Sequence, residues 1–245
     1  MKCPGQDTQF WGKDSVFEVK CPNCGNSIEF FKDDVSRTCR VCGQKVINPK
    51  MDFGCAAYCK YAEQCLGGLP PELVAQRQEL LKDRVAIEMK RYFGDDFKRI
   101  AHTTRVARYA ERIGKEEGAD MAVVMAAAYL HDIGIKEAEK RYNSSAAKYH
   151  EELGPPVARK ILEKLGAKKE LIDEVCDIIS RHHHPRKQET LNFKVLYDAD
   201  LITNLEEKHK KEPLSKDELK RIIEERLFTE SAKRLAREIF LEGDI

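Results

Sequence analysis

The chain has 245 residues, which is enough for one ordinary domain and one small one. Its 43 lysines and arginines against 42 acidic residues give a net charge of +1, which argues against a strong global attraction to nucleic acid. No apolar run is long enough to span a bilayer, and residues 1–5 do not resemble a signal peptide. We therefore expect a soluble, cytoplasmic protein with no membrane partner.

The cysteines are concentrated at the front of the chain, with eight of the nine before Leu66. Two C-x2-C pairs with fourteen residues between them are typical of a metal-binding ribbon, because each tight turn directs two thiolates at one ion. The segments around them are rich in residues that favour strands. This part resembles a zinc ribbon. We expect residues 1–48 to be a small β domain whose structural zinc is held by Cys21, Cys24, Cys39 and Cys42.

A second cysteine group lies in residues 49–70, which we interpret as a linker. Cys55, Cys59 and Cys65 form a C-x3-C-x5-C run, and three thiolates need a fourth ligand. Cys3 is the unassigned cysteine nearby, so we hypothesise a second four-cysteine site that includes it. Four thiolates bind either zinc or a [4Fe-4S] cluster, and the spacing does not distinguish the two. Three free, reduced cysteines are the alternative.

Residues 71–245 predict an all-α domain organised around one apolar helix. Asp120 offers an N-cap for this helix, which runs from Met121 to Leu130 and is apolar on nearly every face. Such a helix belongs in the middle of a domain. It ends on His131-Asp132, two polar side chains that are costly to bury without partners or a metal ion.

The flanking helices are predicted from apolar periodicity and from their start and stop signals. One helix ends near Phe93, and another carries His102. Ser144 starts a short helix that includes His150, and Gly154-Pro155-Pro156 starts the next. The following helix runs from Leu171 to His182, and Ser215 with Glu218 forms a capping box further on.

Metal-binding side chains fall on the apolar faces of four of these predicted helices. A satisfied buried histidine is the simpler interpretation for any one of them. For four helices together, with the adjacent His-Asp pair, a metal site is the economical explanation. The residues concerned are His102, His131, His182, His183 and Asp200.

The order of these residues resembles the HD superfamily of metal-dependent phosphohydrolases. The resemblance rests on His102, then His131-Asp132, then Asp200, and it covers roughly residues 71–205. It implies a mainly α fold, an HD-domain helical bundle preceded by the small β zinc ribbon, with the site inside the bundle.

Some HD proteins bind two metal ions with the help of an additional histidine and a later His-His pair. On that resemblance His102, His131 and Asp200 would hold one ion, and His150 with a histidine of the His182-His183 pair would hold the other. Asp132 would bridge the two ions. The resemblance also makes Lys136 a candidate for contacting phosphate, although Ile135 separates it from the glycine that it usually follows.

Imidazole and carboxylate ligands suit iron, manganese, cobalt, nickel or zinc. We expect hydrolysis of a phosphate monoester or phosphodiester, with a nucleotide as the small phosphorylated substrate, by a metal-activated water. Two alternatives stay open: a metal- or redox-sensing regulatory module that binds a nucleotide without turnover, and a di-iron oxygenase of the same fold. Asp33 and Asp34 interrupt the basic surface of the ribbon and disfavour nucleic acid as its partner. The sequence indicates no oligomeric state.

Overall fold

The structure is a computed structural model that describes residues 16–31, 34, 36–50 and 71–242, except for the side chains of residues 71–79. The chain divides into two compact units, Met1–Arg77 and Gln78–Ile245. The predicted boundaries at residues 48 and 70 stay a prediction. The hypothesised site of Cys3, Cys55, Cys59 and Cys65 lies outside the described residues.

The described part of the first unit consists of two β-hairpins. Strands β1 (Val16–Lys20) and β2 (Ser27–Phe31) pair antiparallel, as do β3 (Ser36–Thr38) and β4 (Lys45–Ile47). Alternate residues of β2 turn inwards, and Phe30 is completely buried between the hairpins with Ile28 and Val46. The small apolar core also includes Cys21 and Cys39, so the strands bring the two cysteine pairs together.

The rest of the described chain is helical, which confirms the predicted fold class of a mainly α bundle after a small β ribbon. None of the described helices combines the length and apolar character that a bilayer span requires. The helices are α1 (Pro71–Phe93), α2 (Phe97–Glu117), α3 (Met121–Leu130), α4 (Ile135–Tyr142), α5 (Ala147–Lys164), α6 (Lys169–Ile179), α7 (Leu191–Lys211), α8 (Lys216–Arg226) and α9 (Glu230–Arg237), followed by a π-helical turn (Glu238–Glu242).

Helix α3 lies at the centre of the helical unit, as its composition predicts. Residues from Val123 to Ala128 are at most 3% exposed, and the helix packs against α2, α6 and α7. The Asp120 carboxylate accepts hydrogen bonds from the backbone N–H groups of Ala122 and Val123, which confirms the predicted N-cap. Because α3 ends within the core, the residues that follow Leu130 start inside the protein.

Two predicted helix boundaries were wrong. His150 and the Gly154-Pro155-Pro156 segment belong to one continuous helix, α5, whose apolar face packs against α4 and α6. This tertiary packing outweighs the backbone hydrogen bonds that the two prolines cannot donate. Helix α6 ends at Ile179, so His182 and His183 lie in the turn after it and not inside the helix.

Asp198 fastens the C-terminal helices to the bundle. This fully buried residue of α7 accepts hydrogen bonds from the backbone N–H groups of Phe228 and Thr229 and from the Thr229 hydroxyl. Thr229 in turn caps the N-terminus of α9. The capping box of Ser215 and Glu218 at the start of α8 is confirmed as well.

We predict that Asp198→Ala lowers the free energy of unfolding by about 2–4 kcal/mol, because it leaves three donors, two of them buried, without their acceptor. Urea denaturation followed by the far-UV circular dichroism of the helices measures the change. Asp217→Ala removes an exposed carboxylate at the start of α8 and serves as the control, with an effect within about 0.5 kcal/mol. Equal denaturation midpoints for the two variants would contradict the assigned role of Asp198.

Candidate metal centre

Seven imidazole and carboxylate side chains from five parts of the fold meet at the C-terminal end of α3. His102 lies on α2, and Asp200 lies on α7. His131 caps the end of α3, and Asp132 follows it in the turn before α4. His150 lies in the first turn of α5, and the turn after α6 supplies His182 and His183.

The seven residues form two adjoining groups, in each of which the potential ligand atoms lie within 4.8 Å of one another. The first group consists of His102, His131 and Asp200. The second consists of Asp132, His150, His182 and His183. The sequence analysis singled out all seven, and the structure brings all seven together.

In the first group, Asp200 Oδ1 lies 3.3 Å from His102 Nε2 and 3.6 Å from His131 Nε2. Two ligands bound about 2.1 Å from one ion are roughly 3.0–3.5 Å apart, so the spacing of this group is close to that of a coordination shell.

Asp132 belongs to the second group but also borders the first, and one of its carboxylate oxygens faces each group. Its Oδ2 atom is 3.4 Å from His131 Nε2, in the first group. Its Oδ1 atom is 3.6 Å from His150 Nε2 and 3.7 Å from His182 Nε2, in the second. A carboxylate in this position can ligate an ion on either side.

Backbone carbonyl groups fix the orientation of three of the rings. The Nδ1 atoms of His131, His150 and His182 lie 2.9–3.0 Å from the carbonyl oxygens of Ala128, Ser145 and Ile179. An imidazole that donates from Nδ1 carries its lone pair on Nε2, so all three rings direct an acceptor nitrogen at the centre.

These three Nε2 atoms are buried, and none has a hydrogen-bond partner among the described residues. A buried polar atom without a partner costs about 1–3 kcal/mol, so three of them in one place need an explanation. Divalent metal ions fit, because an ion in each group would accept the lone pairs that face it, beside two carboxylates. The residues present therefore suit one or two divalent ions.

The charges around His131 attract a cation to the same place. Burial by itself lowers the pKa of His131, but the carboxylates of Asp132 and Asp200 outweigh it and raise the pKa to about 9. Burial would raise the pKa of Asp132, yet His131 and His182 hold it well below its ordinary value. Protons and metal ions compete for the same lone pairs, so a site that favours a proton this strongly also favours a metal ion.

Gly134 allows the turn that carries Asp132 to pack directly against the helix that carries His150. A Cβ atom at Gly134 would lie 2.2 Å from the His150 carbonyl oxygen and 2.5 Å from the Gly154 nitrogen. Both are backbone atoms, which cannot swing aside. The backbone at Gly134 is itself ordinary right-handed helix, so the need for glycine comes from this contact alone.

The four cysteines of the ribbon form a separate cluster able to hold a metal ion. Cys21 Sγ lies 3.6 Å from Cys42 Sγ, and Cys24 Sγ lies 3.6 Å from Cys39 Sγ. Four sulfurs about 2.3 Å from a zinc ion form a tetrahedron with edges of roughly 3.8 Å. Gly25 and Gly43 follow the two pairs with φ angles of 71° and 74°, which the tight turns require. The cluster and the strands around it are those of a zinc ribbon.

Lys136 is not part of either group of metal ligands. Its ammonium group donates a hydrogen bond of 2.9 Å to the Tyr92 carbonyl oxygen and lies over the Tyr92 ring. Tyr92 also lines a cavity of about 530 Å³ bounded by residues of α4 and α5 that include Arg141 and Val157. The described contacts of Lys136 therefore lie beside this cavity.

Glu207 is a residue of the site that the sequence analysis missed. Its Oε1 atom lies 3.1 Å from His102 Nδ1 and 3.3 Å from Arg105 Nη1. A carboxylate on Nδ1 does for His102 what the carbonyl groups do for the other rings, and such partners increase the basicity of a metal ligand. Glu207 follows Asp200 by seven residues on α7, so the helical repeat was the signal that pointed to it.

Comparison with known families and proteins connects this site to one family. Residues 99–205 match the family described as HD domain. A ribonuclease Y of Rubrobacter xylanophilus is 29% identical over 125 residues, which cover 51% of this chain and 21% of that protein. A ribonuclease Y of Thermus thermophilus is 33% identical over 104 residues, 42% of this chain and 16% of the relative. The chain thus spans about a fifth or less of the length of these relatives.

Two solved structures show similarity to the chain. A predicted HD superfamily hydrolase from an uncultured Thermotogales bacterium is 25% identical, with a TM-score of 0.47 over 65% of this chain and 83% of that one. The Bacillus subtilis protein YpgQ is 22% identical, with a TM-score of 0.48 over 66% of this chain and 88% of its own.

We predict that Gly134→Ala disrupts the metal centre, because the new methyl group overlaps the α5 backbone and must push the Asp132 turn away from His150. We expect a loss of stability of about 1–3 kcal/mol together with reduced binding of Mn²⁺. Thermal unfolding and equilibrium dialysis against Mn²⁺ measure the two effects.

Gly154→Ala is the matched control for this variant. Gly154 lies on the other side of the same contact, but a Cβ atom there comes no nearer than 3.7 Å to any neighbour. We expect Gly154→Ala to bind Mn²⁺ like the wild type. Normal Mn²⁺ binding by both variants would contradict the close approach.

Proposed function

From the match of residues 99–205 to the HD domain family, we propose that this chain is a metal-dependent phosphohydrolase. The observation that carries the proposal is the set of three buried Nε2 atoms in the two adjoining groups that contain Asp132 and Asp200, which have no hydrogen-bond partner among the described residues. Preformed, electron-rich ligand sets of this kind bind metal ions, and the resemblance to the HD superfamily of metal-dependent phosphohydrolases favours phosphoester hydrolysis.

In this proposal each group of ligands holds one ion. His102, His131 and Asp200 would hold the first, His150 and the His182-His183 pair would hold the second, and Asp132 would be available to both. Bound divalent ions lower the pKa of a water molecule towards neutrality and attract the oxygens of a phosphate group. Nitrogen and oxygen ligands without thiolate suit iron, manganese, cobalt, nickel or zinc, whereas the four cysteines of the ribbon suit zinc.

The protein's own residues hold the ligands in place and keep their charges balanced. His131 and His182 are each 1% exposed, so bulk water has little access to the inner side of the site. Glu207 and Arg105 form a charged pair behind His102 at 3.3 Å, which adds a positive group next to the first set. Lys136 would have to leave the Tyr92 carbonyl oxygen to reach a phosphate group. It is a candidate for contacting phosphate in a conformation that breaks this hydrogen bond.

We propose a nucleotide phosphoester as the substrate class, and two forms of it are worth distinguishing. The sequence analysis favoured a small nucleotide and disfavoured nucleic acid. The relatives are named ribonuclease Y, and that name favours RNA instead. A substrate panel of nucleoside phosphates, cyclic nucleotides and short single-stranded RNA, with Mn²⁺ or Fe²⁺ present, separates the two forms.

The other interpretations from the sequence make different predictions in the same assay. A sensing module would bind a nucleotide without releasing phosphate or a shortened product. A di-iron oxygenase would consume O₂ together with an organic substrate. Product analysis combined with oxygen uptake on the iron-loaded protein therefore distinguishes all three interpretations.

We predict that Asp132→Ala lowers the rate of hydrolysis by more than ~100-fold. Replacing a residue that only hydrogen-bonds to a metal ligand already lowers metal affinity or activity by about 10–100-fold. Asp132 contacts both ligand groups, so we also expect bound Mn²⁺ to fall at both positions. Steady-state kinetics on the best substrate of the panel and metal analysis by mass spectrometry measure these effects.

Asp173→Ala is the control, because Asp173 is a surface carboxylate that pairs with Arg159 at 2.7 Å. We expect it to leave both activity and metal content unchanged. An Asp132→Ala variant that hydrolyses the substrate at the wild-type rate would remove the proposed function.

A further inference from the structure

Glu151 is a buried acidic residue next to a metal ligand, and neither the sequence analysis nor the proposed function assigns it a role. It follows His150 on α5 and is 6% exposed. A carboxylate is costly to bury without partners, so its contacts indicate why it is there.

Both oxygens of Glu151 contact the turn that carries the histidine pair. Oε1 accepts a hydrogen bond of 2.8 Å from the backbone N–H of His183, and Oε2 lies 2.7 Å from His184 Nδ1. Glu151 thus joins two successive residues of the turn after α6 to the helix that carries His150. Charge-assisted hydrogen bonds such as these are stronger than neutral ones.

The two histidines of the pair depend on this connection to different degrees. His182 has its own anchor, because its Nδ1 atom lies 2.9 Å from the Ile179 carbonyl oxygen at the end of α6. The His183 ring makes no such hydrogen bond within the described part of the chain, and its Nδ1 atom lies 4.0 Å from Asp200 Oδ2. The position of the His183 ring therefore follows its backbone, which Glu151 holds.

We propose that Glu151 is a positioning residue for the second metal ion: it ties the turn of His182 and His183 to His150, so that the ligands of this ion are preassembled. The inference rests on the proposed function only in taking this group as a metal site. No contact of Glu151 involves His102, His131 or Asp200 within the described residues, so its effect is specific to one of the two ions.

Replacing Glu151 should consequently weaken the binding of the second ion without weakening the binding of the first. In Glu151→Ala the His183 N–H loses its acceptor and the turn is free to move away from α5. Loss of an outer-shell partner typically weakens metal affinity by about 10–100-fold, which we expect for the second ion. The first ion should keep its affinity, since its ligands are held by the Ala128 carbonyl oxygen and by Glu207.

The test is a Mn²⁺ titration of the full-length protein, read out by equilibrium dialysis and by electron paramagnetic resonance. Mn²⁺ prefers nitrogen and oxygen ligands to thiolates, so the cysteine clusters interfere little. Two neighbouring Mn²⁺ ions give an exchange-coupled spectrum, whereas a single ion gives a six-line spectrum. We expect the wild type to bind two ions and Glu151→Ala to show the single-ion spectrum over a ~10–100-fold wider range of Mn²⁺ concentration.

Three further variants distinguish positioning from a general loss of structure. Glu151→Gln keeps an oxygen for the His183 N–H, and its amide can donate to His184 Nδ1, so we expect it to restore the coupled spectrum. His184→Ala removes only the outer contact, and we expect the second ion to bind nearly as in the wild type. Glu117→Ala also removes a carboxylate that accepts two hydrogen bonds, from the Ser231 N–H and hydroxyl, but it lies away from the site. We expect Glu117→Ala to lower stability without changing the ratio of the two affinities.

The outcomes are decisive in either direction. Equal weakening of both ions in Glu151→Ala, an unchanged second affinity, or a wild type that binds a single Mn²⁺ would overturn the proposal. If Glu151→Ala fails to fold, Glu151→Asp replaces it, because a side chain shorter by one methylene group cannot reach both partners. A wild type that binds two ions but hydrolyses no phosphoester would overturn the proposed function and leave the positioning role intact.

Discussion

The helical unit has to hold several imidazole and carboxylate groups together inside an apolar core. Three ring nitrogens in this cluster are buried and have no hydrogen-bond partner among the described residues. In the absence of a cation each of them opposes folding, so the surrounding helices must be stable enough to hold them together. Helix α3 contributes to that stability, because its residues from Val123 to Ala128 and Leu130 are all apolar and buried. The polar residues can then begin at His131, where the helix ends.

Much of the fold and of this site could be predicted from the sequence, because the information is local. An apolar face repeats along a helix, so a histidine or aspartate in register with it must turn inwards, as His102 and Asp200 do. The cysteine pairs of the ribbon are equally local, since each turn contains both of its ligands. An N-cap such as Asp120 lies within three residues of the N–H groups that it satisfies. Patterns of such short range can be recognised without any knowledge of the tertiary structure.

What the sequence did not predict depends on contacts between distant segments. The prolines after Gly154 suggested a break, but α5 continues because its apolar face is covered by neighbouring helices. The end of α6 was placed three residues too late, because His182 and His183 follow its periodicity while lying in a turn. Lys136 was assigned by its position after the His-Asp pair, yet the fold offers it the Tyr92 carbonyl oxygen from α1, 44 residues away in sequence. No local pattern contains that information.

The groups that hydrogen-bond to the metal ligands also divide into partners close in sequence and partners from distant segments. Carbonyl groups near the ends of helices orient His131, His150 and His182, and each comes from within five residues of its ring. His102 lies in the middle of α2, where the carbonyl groups are occupied by the helix itself, so its Nδ1 atom needs a side chain from elsewhere and finds Glu207. His183 lies beyond the end of α6, and its backbone likewise needs a partner from another helix, which is Glu151. In both places an acidic residue on a neighbouring element supplies the partner. Both carboxylates follow this reasoning, although neither belongs to the pattern by which the ligands themselves are recognised.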